Sequence, residues 1–353
     1  MNDPIAIARP EIRALQAYEH AAWDPSFERL HANELPWRTA SDGSQAGLNR
    51  YPEPHPDTLG AALARLYDVP ADHALVCRGS DEAIDLLVRG FCTAGRDAVL
   101  VCPPTFGMYA VAAQVQGAAV TSIPLRREAG YTLDVAAIAA RCERGDVKLV
   151  FICTPNNPTG NALAAADILA VVERTAGRAL VVVDEAYVEF AAVPSCAQLV
   201  ERHPHVVVLR TLSKAHGLAG ARIGTLIADP RIVALLRKVV PPYAIAQPCI
   251  EAAMQALAAP QLRLARERVA AVVRERARLA AALAALPGVL RVWPSDANFL
   301  LTEFHDPDAA IARFTAARLR VRDFRNRAGL GQALRITIGS PEQNDRLLRS
   351  LAC

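Results

Sequence analysis

Five short apolar runs constrain this chain more than any other feature. They are "ALVC" (74–77), "AVLVC" (98–102), "KLVFIC" (148–153), "ALVVVD" (179–184) and "VVVLR" (206–210). Each is short, bounded by turn residues and apolar at nearly every position. Such runs suit strands buried on both faces of a parallel sheet. Between them lie stretches with helical period, such as "GSDEAIDLLVRGF" and "GMYAVAAQVQG". Strand alternating with helix predicts an α/β fold, with a mostly parallel central sheet flanked by helices in a large domain. From 250 to 286 the chain turns alanine-rich and helical, with a break expected at Pro260. Beyond Gly288, "GVLRVW", "NFLLTEF", "LRVRDF" and "ALRITIG" read as a smaller α+β domain. The expected organisation is an N-terminal arm with part of the small domain (1–47), a large domain (48–250), and a connecting helix with the small C-terminal domain (251–353).

A chain of 353 residues with 52% hydrophobic and 21% charged residues can bury large cores. Its net charge of +3, with arginines spread over the whole length, gives no clustered basic face for nucleic acid. "MNDPIAIARP" lacks the pattern of a secretory signal, and no apolar stretch is long enough to span a membrane, so a cytoplasmic protein is expected. The eight cysteines form no C-x-x-C pair, and several lie in the strand runs, where buried reduced thiols are expected. His203 and His205 flank Pro204 without a third metal ligand nearby and read as a surface turn.

The polar residues at the strand ends carry the chemistry. In an open parallel sheet, ligands bind beyond the carboxyl ends of the strands. Here those ends read Arg78-Gly79-Ser80-Asp81, "TPNNPTG" (154–160), Asp184-Glu185-Ala186-Tyr187 and Thr211-Leu212-Ser213-Lys214. The chain has only three lysines, Lys148, Lys214 and Lys238, and Lys214 alone has such neighbours. A lysine amine can form a Schiff base with the aldehyde of pyridoxal phosphate. A carboxylate such as Asp184 can keep that cofactor's ring nitrogen protonated. Asn157 and Tyr187 can hydrogen-bond its ring hydroxyl. The turn before "SDEAIDLL" offers free backbone N–H groups for a phosphate, with Ser213 and Arg222 alongside Lys214. No G-x-G-x-x-G, P-loop or G-x-S-x-G motif is present.

"TPNNPTG", "VVVDEAYVEF" and "TLSKAHGLAGARIG" resemble the fold type I pyridoxal-phosphate aminotransferases. "HANELPW", "LNRYPEPHP", "RGSDEAIDLLVRGFC", "CPPTFGMY" and "LRITIG" narrow the resemblance to the histidinol-phosphate aminotransferase branch, from about Tyr18 to near the C-terminus. The resemblance implies that Lys214 binds the cofactor covalently and shuttles the proton. Asp184 would face the ring nitrogen, and Asn157 and Tyr187 the ring hydroxyl. Ser80, Asp81, Ser213 and Arg222 would hold the cofactor phosphate, and Phe106 would stack on the ring. Tyr51 would reach the cofactor phosphate of a second subunit, which implies a homodimer with shared sites. Tyr18, Asn33, Arg322 and Arg335 would bind substrate. The implied reaction exchanges the amino group between histidinol phosphate and 2-oxoglutarate. A phospho-amino-acid decarboxylase or an aromatic aminotransferase of the same branch stays open as an alternative, as does, more distantly, a non-enzymatic regulator of the same fold.

Overall fold

In the computed structural model, which describes residues 3–24 and 26–352, all five apolar runs form strands of one sheet. Its strands are β1 (Ala74–Cys77), β2 (Ala98–Val101), β3 (Ala119–Ser122), β4 (Val147–Cys153), β5 (Leu180–Asp184), β6 (Val206–Thr211) and β7 (Gly224–Ile227). Their spatial order is β1-β7-β6-β5-β4-β2-β3. Only β7 runs against its neighbours, pairing antiparallel with both β1 and β6. The absence of alternation in the runs has its reason here. Val181 and Val183 of β5 pack into the core on one face, and Leu180 and Val182 into the core on the other. Two strands were not legible as apolar runs. β3 is a partly exposed edge, and β7 is a four-residue strand behind a glycine-rich stretch.

This order sets the polar ends of β1, β6, β5 and β4 side by side, with only β7 between β1 and β6. β7 also fixes the start of the helix Gly79–Phe91. A Cβ at Gly224 would lie 2.4 Å from the carbonyl carbon of Gly79 and 2.6 Å from the nitrogen of Ser80. Both are backbone atoms that cannot step aside, so only glycine lets the helix N-terminus come this close. Gly79 itself has φ +76, the left-handed region that glycine enters at little cost.

A second sheet is antiparallel, in the order β10-β11-β9-β8, from β8 (Val289–Val292), β9 (Phe299–Phe304), β10 (Arg322–Asp323) and β11 (Ala333–Thr337). One face packs its own core, with Leu300, Phe304, Leu334 and Ile336 against Leu279, Leu283 and Phe314 of the adjoining helices. The segment before β9 is fastened to the β4 loop. Asp296 N–H donates to Gly160 O at 2.7 Å, and Ala162 N–H donates to the Asp296 carboxylate at 2.8 Å. The two sheets thereby meet above the polar strand ends.

Two expectations need correction. The helical region is broken, but at Leu257–Ala258, between Gln247–Ala256 and Ala259–Ala284; Pro260 sits in the first turn of the second helix, where its missing N–H has no intrahelical bond to make. His205 is not a surface-turn side chain. It is buried, with Nε2 2.8 Å from Val172 O. The cysteines among the described residues are all free, and all but Cys249 are buried. After the short helix Pro10–Ala14, no helix or strand is present among the described residues before Asp57. No described helix is long and apolar enough to cross a membrane.

Candidate active site

Nine of the residues singled out from the sequence line one cavity of about 130 Å3: Ser80, Asp81, Phe106, Asn157, Asp184, Tyr187, Ser213, Lys214 and Arg222. It opens at the strand ends just described. On one side the first turn of the helix Gly79–Phe91 presents its backbone N–H groups, which have no intrahelical acceptor. Glu82 accepts the Arg78 N–H at 2.6 Å and so caps that end without covering the turn. Arg222, with φ +56, turns its guanidinium to the same place, donating to Ser213 Oγ at 3.3 Å and to the Asp81 carboxylate at 3.2 Å. Ser213 is held in turn by Thr211, whose Oγ1 lies 3.0 Å from Ser213 Oγ. N–H groups, hydroxyls and one arginine together make a seat for a phosphate.

At the cavity floor Asp184 is buried. It accepts the Tyr109 hydroxyl at 2.7 Å and the Ala186 N–H at 3.1 Å. Burial pushes its carboxyl up to about 6, against those two hydrogen bonds. A cationic ring nitrogen placed opposite would relieve that strain. Tyr187 donor capacity is secure, because burial holds its phenol above its ordinary value. Asn157 Nδ2 lies 3.3 Å from Tyr187 Oη, and Asn157 Oδ1 accepts from Arg335 Nη1. The arginine thus fixes the amide with its N–H2 toward the cavity. Lys214 sits over the Tyr187 ring, its Nζ 5.7 Å from the centroid. Burial, with Arg335 and Arg222 nearby, lowers its pKa, which enriches the free amine. The residues present fit pyridoxal phosphate: an amine for the aldehyde, a carboxylate for the ring nitrogen, donors for the ring hydroxyl, an aromatic face at Phe106, and the phosphate seat that Gly224 keeps open.

Arg335 enters from β11, held between the rings of Phe299 and Phe324 at 5.1 and 5.3 Å. Arg322 of β10 is its register partner. Like charges directly opposite on a strand pair repel. Tyr18, Asn33 and Tyr51 do not line the cavity. Tyr18, on the arm, and Tyr51, four residues beyond its end, are exposed, and Tyr51 stacks on Tyr243 at 4.6 Å. Lys148 and Lys238 are remote from it, donating to the backbone of Gly145 and Arg13. Tyr109 was missed in the sequence, and Thr211 was read there only as part of a polar strand end, with no role; Tyr109 lies in the first turn of the helix Met108–Gln116, two residues beyond the loop that carries Phe106 and its neighbour Gly107.

The family model for aminotransferase class I and II matches residues 25–351. The chain belongs to this family. It is 49% identical to the histidinol-phosphate aminotransferase of Stenotrophomonas maltophilia, over all of this chain and 97% of that one. It is 51% identical to that of Xylella fastidiosa, over 91% of this chain and 88% of that one. Among solved structures, the histidinol-phosphate aminotransferase of Sinorhizobium meliloti in complex with pyridoxal-5'-phosphate matches with a TM-score of 0.77 and 25% identity, over 86% of this chain and 82% of that one. That of Clostridium acetobutylicum shares the fold, with a TM-score of 0.78 at 22% identity, over 86% of this chain and 90% of that one.

Proposed function

We propose that this class I and II aminotransferase uses pyridoxal phosphate to exchange the amino group between L-histidinol phosphate and 2-oxoglutarate, a step of histidine biosynthesis. The observation that carries the reading is one cavity lined by Lys214, Asp184 and the Ser213–Arg222 seat, with Arg335 held against its Asn157 from outside the lining. Bound there, the cofactor supplies an aldehyde that exchanges amines and a ring that draws electron density from the substrate's α-carbon.

The chain's own residues do the rest. Asp184 would hold the proton on the ring nitrogen. Asn157 Nδ2 and the Tyr187 hydroxyl would donate to the ring hydroxyl, the amide oriented by Arg335. Lys214 Nζ would hold the cofactor through its aldehyde and, once freed by the substrate amine, would take the α-proton and return it to the carbon that bore the aldehyde. The two substrates differ in their anions. Histidinol phosphate lacks an α-carboxylate but carries a phosphate ester close to the reacting carbon, while glutamate carries carboxylates. A planar guanidinium accepts either. The opposed pair Arg322 and Arg335 is the place for that anion, whose charge would relieve their repulsion.

The arm supports a dimer. Tyr18, Phe27, Leu30, Leu35 and Trp37 are each more than two-thirds exposed in the single chain, an apolar stretch that a second copy would cover. Tyr51, outside its own chain's cavity, would then reach the partner's cofactor phosphate, and Tyr18 and Asn33 the substrate. The test of the function is purified protein with histidinol phosphate and 2-oxoglutarate. Glutamate formation without carbon dioxide supports it; carbon dioxide release or no glutamate refutes it.

A further inference from the structure

Asp184 is not oriented by the cavity alone. Behind it, Tyr109 is fully buried, and its hydroxyl donates to Asp184 Oδ2 at 2.7 Å. The phenol ring is locked in place: it stacks on Phe151 at 4.6 Å and 7°, and Phe106 meets its edge at 5.6 Å and 80°. The other carboxylate oxygen, Oδ1, accepts the Ala186 N–H. Each oxygen therefore has one fixed donor from the protein and keeps a lone pair for the cavity. We propose that Tyr109 is a positioning residue, which aims the Asp184 carboxylate at the cofactor's ring nitrogen and keeps it ionised.

The direction of the hydrogen bond is settled by chemistry. Burial beside Asp184 keeps the Tyr109 phenol well above its ordinary pKa, so it stays a donor. A donor to a carboxylate stabilises the charged form. The other groups facing Asp184 are Asp81 and Glu185, which disfavour its charge, Lys214, and the Tyr187 hydroxyl and Cys153 thiol, which are neutral. Among these, Tyr109 is the side chain whose hydrogen bond holds the carboxyl down against burial. The same ring touches Phe106, so the residue proposed to stack on the cofactor and the residue aiming its partner carboxylate rest on one buried tyrosine.

The proposal rests on the reading that Asp184 faces the cofactor's ring nitrogen, and the test separates the two. Cofactor-free protein is titrated with pyridoxal phosphate by fluorescence across a pH series, for the unaltered chain, Tyr109→Phe and Asp184→Asn. Ionisations of the cofactor itself and of Lys214 persist in all three, that of Lys214 moving downward in Asp184→Asn, where the carboxylate that favours its charge is gone. The break present in the unaltered chain and missing from Asp184→Asn belongs to Asp184. If Asp184→Asn keeps both the break and the affinity, the underlying reading fails. If that break is lost in Asp184→Asn, Tyr109→Phe is expected to move it upward by about one pH unit, roughly tenfold in the ionisation constant. A Tyr109→Phe protein that binds more weakly at every pH with its break unmoved overturns the proposal and leaves Tyr109 a packing residue. Should Tyr109→Phe lose its near-ultraviolet circular dichroism, 3-fluorotyrosine installed at position 109 serves instead. As the stronger donor it moves the break downward if the proposal holds and leaves it in place if it does not.

Discussion

Replacing Asp184 by asparagine should make the cofactor-free protein more stable and the enzyme inactive. The carboxyl's ordinary value is 3.8, and burial raises it to about 6 in the folded chain. A carboxyl with a raised pKa binds its proton more tightly folded than unfolded. Its stabilising contribution is therefore complete at low pH and is lost as pH rises from about 4 to about 6. Roughly two pH units at ~1.4 kcal/mol each come to about 3 kcal/mol. An asparagine amide carries no charge there, and its oxygen can still accept the Tyr109 hydroxyl, so the variant escapes that loss, offset in part by an amide nitrogen that then faces the Ala186 N–H. With an unfolding entropy of about 2.1 cal/mol/K per residue over 353 residues, escaping the charge penalty raises Tm near neutral pH by at most about 4 °C. Calorimetry of cofactor-free protein at equal concentration, at about pH 7.5 and about pH 4, checks both the sign and its disappearance. Adding pyridoxal phosphate should reverse the order, because only the carboxylate can pair with the ring nitrogen. If the two proteins melt together at about pH 7.5, the carboxylate is compensated by a cation in the free protein and the reasoning fails.

Lys214→Ala should leave the cofactor bound only through its phosphate and ring contacts, so borohydride should no longer fix it to the chain. Mixed with an inactive Tyr51 variant under proven subunit exchange, it should regain activity, since one of the hybrid's two sites is then complete. Gly224→Ala, by driving a Cβ into the backbone of Gly79 and Ser80, should lower affinity for pyridoxal phosphate at least tenfold while the protein still folds, read by fluorescence titration and circular dichroism. Arg335→Leu removes a charge-assisted contact worth about 1.5–3 kcal/mol, so kcat/KM for both histidinol phosphate and glutamate should fall about ten- to a hundredfold.

The part of the site that was legible lies within a few residues of strand ends. Asp184 ends β5 and Lys214 follows β6 by three residues, so a correct reading of the apolar runs places both on one rim. What was not legible depends on contacts with no local signature. Arg335 and Asn157 stand 178 positions apart in the chain, and long-range contacts such as the fastening of the β9 segment to the β4 loop bring them together. Gly224 looks like any glycine in a small-residue stretch until the start of the helix Gly79–Phe91 is laid against it. Tyr109 reads as ordinary helix filling, because its partner comes from a strand 75 residues further on. His205 was misread for a related reason: the turn at Pro204 was visible, but not the carbonyl of Val172 that receives its ring.

The account's central claim is a two-step amino transfer at Lys214, and a half-reaction tests it most directly. Protein loaded with pyridoxal phosphate and freed of oxo acids is given histidinol phosphate alone. The predicted result is one equivalent of imidazole-acetol phosphate per site and no more, then one equivalent of glutamate when 2-oxoglutarate is added, with the original absorbance restored. Carbon dioxide release, no ketone at all, or turnover that continues without any oxo acid would contradict it.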